Sequence, residues 1–353
     1  MDASAHEHLS ILIHDEELWF PDGNVILVAQ GRAFKVYQGL LSRDSEIFRG
    51  LFAVPQPSSA EAVDGCPIVY LTDSSEQLRH LLRVVFDGKR YDLDYACERH
   101  RLTGSRRPFR YYRLDEQLDF AVVAALVRLS HKYQLDYVLS DFLARMMSCF
   151  GTDSGAWERV SRDHGSTAMR FSDTDAIAVV NIARLTGADS MLPTAFYLCC
   201  QLDPECVVGG RPQSGSDVES LSSEDVVKYV KARQSLLQRG LVDVVEIFDT
   251  VVPSHRDASA ASACRSTIDS TRQNRLTRTT ASLISLLSRT EQLTIRIKES
   301  QGLLCRSCAD ALCRVEQQQH KRNWRGLPQL LGLETTVNWP KEERPAWWPR
   351  PLV

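Results

Sequence analysis

Cys305-x-x-Cys308 is the constellation in this chain with metal-ligand spacing, because thiolates three residues apart can converge on one tetrahedral ion. Cys313 and His320 follow it closely. Two further ligands for a structural zinc must then come from elsewhere, and Cys264 with His320 or His255 are the candidates. The same residues admit a plainer reading. Leu304, Cys308, Ala311, Leu312 and Val315 fall on one helical stripe, which would make Cys308 a core thiol with Cys305 at the stripe's edge.

A second chemical possibility lies in Arg99, Arg101, Arg106, Arg107, Arg110 and Arg113, interleaved with Phe109, Tyr111 and Tyr112. Such a run could grip a phosphate backbone and stack bases. It follows Asp92, Asp94 and Glu98 and precedes Asp115 and Glu116. That mixture favours a solvated loop or an acidic-partner surface over nucleic acid. Catalytic signatures are missing: the sequence has no Gly-x-Gly-x-x-Gly, Walker loop, Gly-x-Ser-x-Gly or His-Glu-x-x-His. Single histidines such as His80 and His131 have no sequence-local acid partner, so no enzymatic activity is expected.

Composition narrows the class further. With 45 acidic and 42 basic residues the net charge is −3, which gives no global reason to bind nucleic acid or an anionic membrane. The longest aliphatic run, residues 121–127, is far short of the roughly 20 residues of a membrane span. The ten cysteines fit a reducing compartment, since the chain carries no N-x-[ST] acceptor. A soluble intracellular protein of the nucleus or cytoplasm is the expectation.

The elements that must position these residues are legible from periodicity. Val25-Ile26-Leu27-Val28, a Gln30-Gly31 turn and the alternating Phe34-Lys35-Val36-Tyr37 predict a hairpin. Leu40 and Leu41, a polar stretch, then Ile47, Phe48, Leu51 and Phe52 predict two short helices, and Ile68-Val69-Tyr70-Leu71 a third strand. Ser74 with Gln77 has the capping-box pattern ahead of Leu78, Leu81, Leu82 and Val85. After an insertion at about 89–117, one helix runs through Leu118, Val122, Leu126 and Leu129, and another through Leu135, Val138, Phe142 and Met146. Beyond Thr152 no strand is expected. Helices are predicted within 175–202 on either side of Gly187, over 222–238 ending near Gly240, over 276–297 and over 303–319, with linkers at 209–220 and 254–263. The expected organisation is an N-terminal segment 1–16, an α/β domain 17–150, a helical region 151–250, a C-terminal helical region 251–335 and a tail 336–353.

The words carried on these elements resemble one family. Trp19-Phe20-Pro21-Asp22-Gly23-Asn24-Val25-Ile26-Leu27-Val28, Phe34-Lys35-Val36-Tyr37, Leu40-Leu41-Ser42 and Ser45-Glu46-Ile47-Phe48-Arg49-Gly50-Leu51-Phe52 resemble the opening of BTB/POZ domains. Asp64-Gly65-Cys66-Pro67-Ile68-Val69-Tyr70-Leu71 and Leu78 to Gly88 look like the next strand and helix, and Leu129-Ser130-His131-Lys132-Tyr133-Gln134-Leu135 resembles the helix junction that closes the domain. Val54-Pro55-Gln56-Pro57 with Asp64-Gly65-Cys66-Pro67, then Cys305…Cys308 and Trp324-Arg325-Gly326-Leu327-Pro328, resemble the BTB proteins abundant in mushroom-forming (basidiomycete) fungi. The chain departs from the pattern in having Tyr37 where histidine is usual, and in the insertion at 89–117.

The resemblance implies an α/β BTB/POZ domain followed by an all-α region, and a function in association: a scaffold or adaptor that binds protein partners and forms a homodimer. Leu9, Ile11, Leu12 and Ile13, together with Ile47, Phe48, Leu51 and Phe52, are the residues expected at that interface, with burial inside the monomer as the alternative for each. A substrate adaptor for a cullin-type ubiquitin ligase and a transcriptional regulator are the competing functions. The first is lowered because residues 53–56 lack the hydrophobic-x-acidic motif of many adaptors, the second because no zinc-finger array is present.

Overall fold

The computed structural model describes residues 12–54, 62–63, 65–87, 116–212, 218–250, 258–277, 283–288 and 290–339. Leu9, Ile11, His255 and the arginine-rich run fall outside them. The chain divides into two units, Met1–Cys149 with Arg159–Phe171, and Phe150–Glu158 with Ser172–Val353.

The first unit is built on a mixed sheet. Strands β1 (Ile13–Trp19), β2 (Val25–Ala29), β3 (Arg32–Val36), β4 (Ala62–Val63) and β5 (Cys66–Leu71) take the order β1-β3-β2-β5-β4. β2 and β3 form the expected hairpin, Val25 opposite Val36 and Ala29 opposite Arg32. Gln30 and Gly31 both have positive φ (43° and 78°), as a two-residue turn that follows the strands' twist requires. β2 is buried along its whole length, and β5 runs parallel to it.

β1 corrects the expected boundary at residue 16, because pairing with β3 begins at Ile13. Its sequence hides it. The inward residues are Asp15 and Leu18, and Asp15 is fully buried. Its carboxylate accepts the Leu18 N–H at 3.1 Å and meets Arg79 at 3.0 Å and Arg32 at 3.3 Å. A charge network therefore stands where an apolar alternation would have announced a strand.

Helices α1 (Gln38–Asp44), α2 (Glu46–Ala53), α3 (Ser75–Asp87), α4 (Phe120–Lys132) and α5 (Asp136–Cys149) complete this unit. Periodicity marks buried positions on two of them, Leu78, Leu81, Leu82 and Val85 on α3 and Leu135, Val138, Phe142 and Met146 at and along α5. Ser45 joins two parts of the unit: its Oγ accepts the Phe48 N–H at 3.0 Å, capping α2, and donates to the Tyr133 carbonyl at 2.5 Å. Two-residue strands β6 (Leu118–Asp119) and β7 (Met169–Arg170) pair in parallel, and the second lies beyond Thr152, where no strand was expected. Such short pairs leave no periodic signal.

The second unit is helical. It holds α7 (Ala176–Thr186), α8 (Leu192–Gln201), α9 (Pro204–Gly209), α10 (Ser223–Thr250), α11 (Ala258–Leu276), α12 (Thr290–Ser300), α13 (Arg306–Arg325) and α14 (Leu327–Leu330), while α6 (Ser154–Asp163) spans the division. β8 (Arg211–Pro212) and β9 (Val218–Glu219) pair within the expected linker. Gly187 ends α7 at φ 69°, and Ser222 caps α10 by accepting the Asp225 N–H at 3.2 Å.

Four expectations are corrected here. α10 does not stop near Gly240 but continues to Thr250. α11 begins inside the stretch read as a linker, whose alanines favour helix more than its serines oppose it. The helix expected over 276–297 is interrupted, with residues 283–288 passing close to α10. Finally, the first residues of the expected tail belong to the core: Val337 and Trp339 are buried, and the Trp339 indole donates to the Trp324 carbonyl at 3.0 Å.

Gly240 explains itself by what approaches it. A Cβ there would lie 2.1 Å from the Leu283 carbonyl oxygen. Gly240→Ala should therefore destabilise the protein, although alanine is worth about 1 kcal/mol more than glycine in a helix interior. Overpacking costs about 1–3 kcal/mol, and an approach of 2.1 Å to a backbone oxygen belongs to the upper half of that range, about 2–3 kcal/mol, so the expected net loss is about 1–2 kcal/mol in urea denaturation. A parental or raised midpoint would show that residues 283–288 do not pack on α10.

Candidate functional site

The turn between α12 and α13 delivers two of the cysteines. Gly302 has φ 71°, its N–H donates to the Glu299 carbonyl at 2.9 Å, and the Leu303 N–H donates to Lys298 at 3.0 Å. This C-terminal cap reverses the chain so that Cys305 becomes the N-cap of α13, with Cys308 in the first turn. Cys264 comes from α11. That helix packs beside them through a core of Val244, Ile247, Phe248, Ile268, Ile295, Leu304 and Leu312.

The sulfurs of Cys264, Cys305 and Cys308 lie within 4.8 Å of one another, close enough to hold a metal ion. Cys264 and Cys308 are buried and Cys305 is half-buried. The Cys305 N–H points at the Cys264 sulfur (3.3 Å) and the Cys308 N–H at the Cys305 sulfur (3.4 Å). Burial opposes ionisation of Cys305, but the Cys308 N–H and the neighbouring thiols outweigh it and hold its pKa below the ordinary thiol range. Burial and then the Cys305 sulfur push Cys308 the other way, up to about 12. Both readings of this sequence therefore meet in one place, since Cys308 lies on the buried stripe and also faces two other sulfurs.

His320 is not brought to this cluster. It lies twelve residues beyond Cys308 on the same helix, about 18 Å along the axis, and its Nε2 sits 3.1 Å from the Leu287 carbonyl oxygen. Cys313 stays in the apolar core, where burial raises its pKa.

The predicted association residues separate as well. Ile13 on β1 is 63% exposed and Ile47 on α2 is 40% exposed, while Leu51 is half-buried. Phe48 is a correction: it is fully buried, with its ring 4.3 Å from that of Tyr133. Adjacent positions on a helix point about 100° apart, so Ile47 and Phe48 cannot share one face.

A polar network on α10 and α13 escaped the sequence reading. Asp243 receives the Asn323 amide at 2.6 Å and the guanidinium groups of Arg239 (2.5 Å) and Arg322 (3.0 Å). Burial raises its pKa, against the opposing pull of Asn323 and Arg239. Beside it, a cavity of about 90 Å³ is lined by Gly240, Arg275, Glu316 and His320 among others. The available signal was spacing: Glu316, Gln319, His320 and Asn323 continue the buried face of α13 at helical intervals.

Compared with known proteins, the chain matches no family model and no curated protein. Among the described residues, no helix is long and apolar enough to cross a membrane.

Proposed function

We propose that this chain is a non-enzymatic, intracellular protein-interaction protein, with a BTB/POZ domain as its first unit that associates with a second copy and recruits protein partners. The observation that carries the reading is where the resembling words fall. The words that resemble the BTB domain itself occupy β2, β3, α1, α2, β5, α3 and the α4–α5 junction, all within one unit around one sheet, while the Cys305…Cys308 and Trp324 to Pro328 words fall in the second unit. Exposed apolar residues on β1 and α2 are compatible with a partner surface, and β1 lies at an edge of the sheet. Fold alone never fixes function, so the words and the surface both matter. Cullin recruitment is the lesser reading, because no acid follows α2 through Gln56. In the second unit, the cysteine cluster is read as a structural zinc site that fastens α11 to α13.

Light scattering on the full chain tests this. A dimer is expected at tens of micromolar, where an interface larger than about 1,000 Å² should hold. Ile13→Glu with Ile47→Glu should give a folded monomer, since both side chains are exposed. A parent chain that is monomeric throughout that range would remove self-association from the proposal, and a double variant that still dimerises would move the interface elsewhere.

A further inference from the structure

Cys305 and Cys308 stand three residues apart at the start of α13, the first as its N-cap and the second inside its first turn. Positions so spaced on a helix have Cα atoms about 5 Å apart, within the roughly 4.4–6.8 Å that a disulfide spans. Their sulfurs, with that of Cys264, already lie within 4.8 Å of one another. The Cys308 N–H points at the Cys305 sulfur from 3.4 Å, so the Cys305 side chain lies across the turn toward Cys308 rather than away from it. A bond between these two needs side-chain rotation and leaves the backbone of α13 in place. A bond from either to Cys264 would instead tie α13 to α11, whose separation is set by the core between them.

The two thiols differ in access. Cys308 is 4% exposed and Cys305 is half-buried, so an oxidant arriving from solvent meets the Cys305 sulfur first. We infer that Cys305 and Cys308 are a site of reversible oxidation, which closes to a disulfide when a peroxide reaches Cys305. In the first step the Cys305 sulfur attacks one peroxide oxygen: an S–O bond forms, the O–O bond breaks, and the other oxygen leaves as water with the Cys305 proton, giving a sulfenic acid. In the second step the Cys308 sulfur attacks that sulfur: the S–S bond forms, the S–O bond breaks, and water leaves with the Cys308 proton. Two thiols lose two electrons and the peroxide is reduced to two waters. In a reducing compartment such a bond is transient and serves sensing rather than stapling. The consequence of closure rests on the zinc reading of the cluster: a disulfide removes two of the thiolate ligands, and with them the ion that fastens α11 to α13.

The test treats the full chain, purified under reductant without chelator and then freed of reductant, with one equivalent of hydrogen peroxide. Two of its ten cysteines should lose their free thiols, with a mass lower by two hydrogen atoms, and peptide mapping should join Cys305 to Cys308. Dithiothreitol should restore both thiols. One zinc per chain should appear in solution with the same time course as the disulfide. Cys305→Ser should abolish the bond, and Cys313→Ser should behave as the parent, because Cys313 is outside the group. Unchanged thiols, a bond that includes Cys264 or a second chain, or passage to sulfinic acid without a disulfide would overturn the inference, and zinc found at purification would then leave the structural site standing. A Cys305–Cys308 bond in a chain that holds no zinc and takes none up on titration with the metal alone would overturn the zinc reading while supporting the oxidation site.

Discussion

Phe48→Asp should leave the first unit unable to fold, while Ile47→Glu one residue away should leave it folded. Phe48 has no exposed surface, and its ring stacks on Tyr133 and lies 5.8 Å from that of Phe52. Its backbone N–H is the one that Ser45 caps, and Ser45 in turn holds the Tyr133 carbonyl. An unpaired carboxylate there would be desolvated with nothing to neutralise it, a penalty of several kcal/mol that a domain of ordinary stability does not survive. Truncation isolates the packing part: Phe48→Ala should cost about 3–5 kcal/mol. Urea denaturation followed by circular dichroism reads both variants. If Phe48→Asp unfolded at the parental midpoint, the burial of this ring would be wrong and the residue would return to the surface as an association candidate.

The contrast between these neighbours shows where sequence reasoning was sound and where it ran out. Periodicity identified α2 and its apolar positions, because Ile47, Phe48, Leu51 and Phe52 recur at helical spacing. It could not say which of them meets the rest of the unit, since that depends on Tyr133, 85 residues further along the chain than Phe48. α3 was fully legible, because its cap and its apolar stripe agree and all four stripe residues are buried. β1 was not, because a buried aspartate held by arginines from β3 and α3 looks polar in sequence. In the C-terminal half, the Cys305-x-x-Cys308 spacing, with Cys264 as a candidate companion, named three residues whose sulfurs lie close enough together to hold a metal ion. His320 was drawn in by chemistry alone, without regard to the length of the helix that carries it.

The buried face of α13 turns from apolar to polar after Cys313, and a pair of opposite charges lies on that polar part. Arg275, in the last turn of α11, meets Glu316 at 2.5 Å, with side chains only 5% and 8% exposed. The guanidinium also lies over the Phe248 ring, 5.2 Å from its centre. Cys264 contacts the start of α13 and Arg275 its middle, so the two helices run in the same direction and are fixed to each other at two levels. Removing one charge takes the opposite charge away from the other. Glu316→Ala should therefore destabilise the second unit by about 3–5 kcal/mol, and Arg275→Met by a similar amount, whereas Arg275→Met with Glu316→Leu should lie closer to the parent than either single variant. The physical reason is that pairing offsets part of the desolvation of each ion, and two apolar side chains of similar volume need no such compensation. A double-mutant cycle in urea measures the coupling directly. Additive losses in the double variant would mean that the two charges do not depend on each other, and the pairing that sets the register of α11 on α13 would have to come from the cysteine cluster alone.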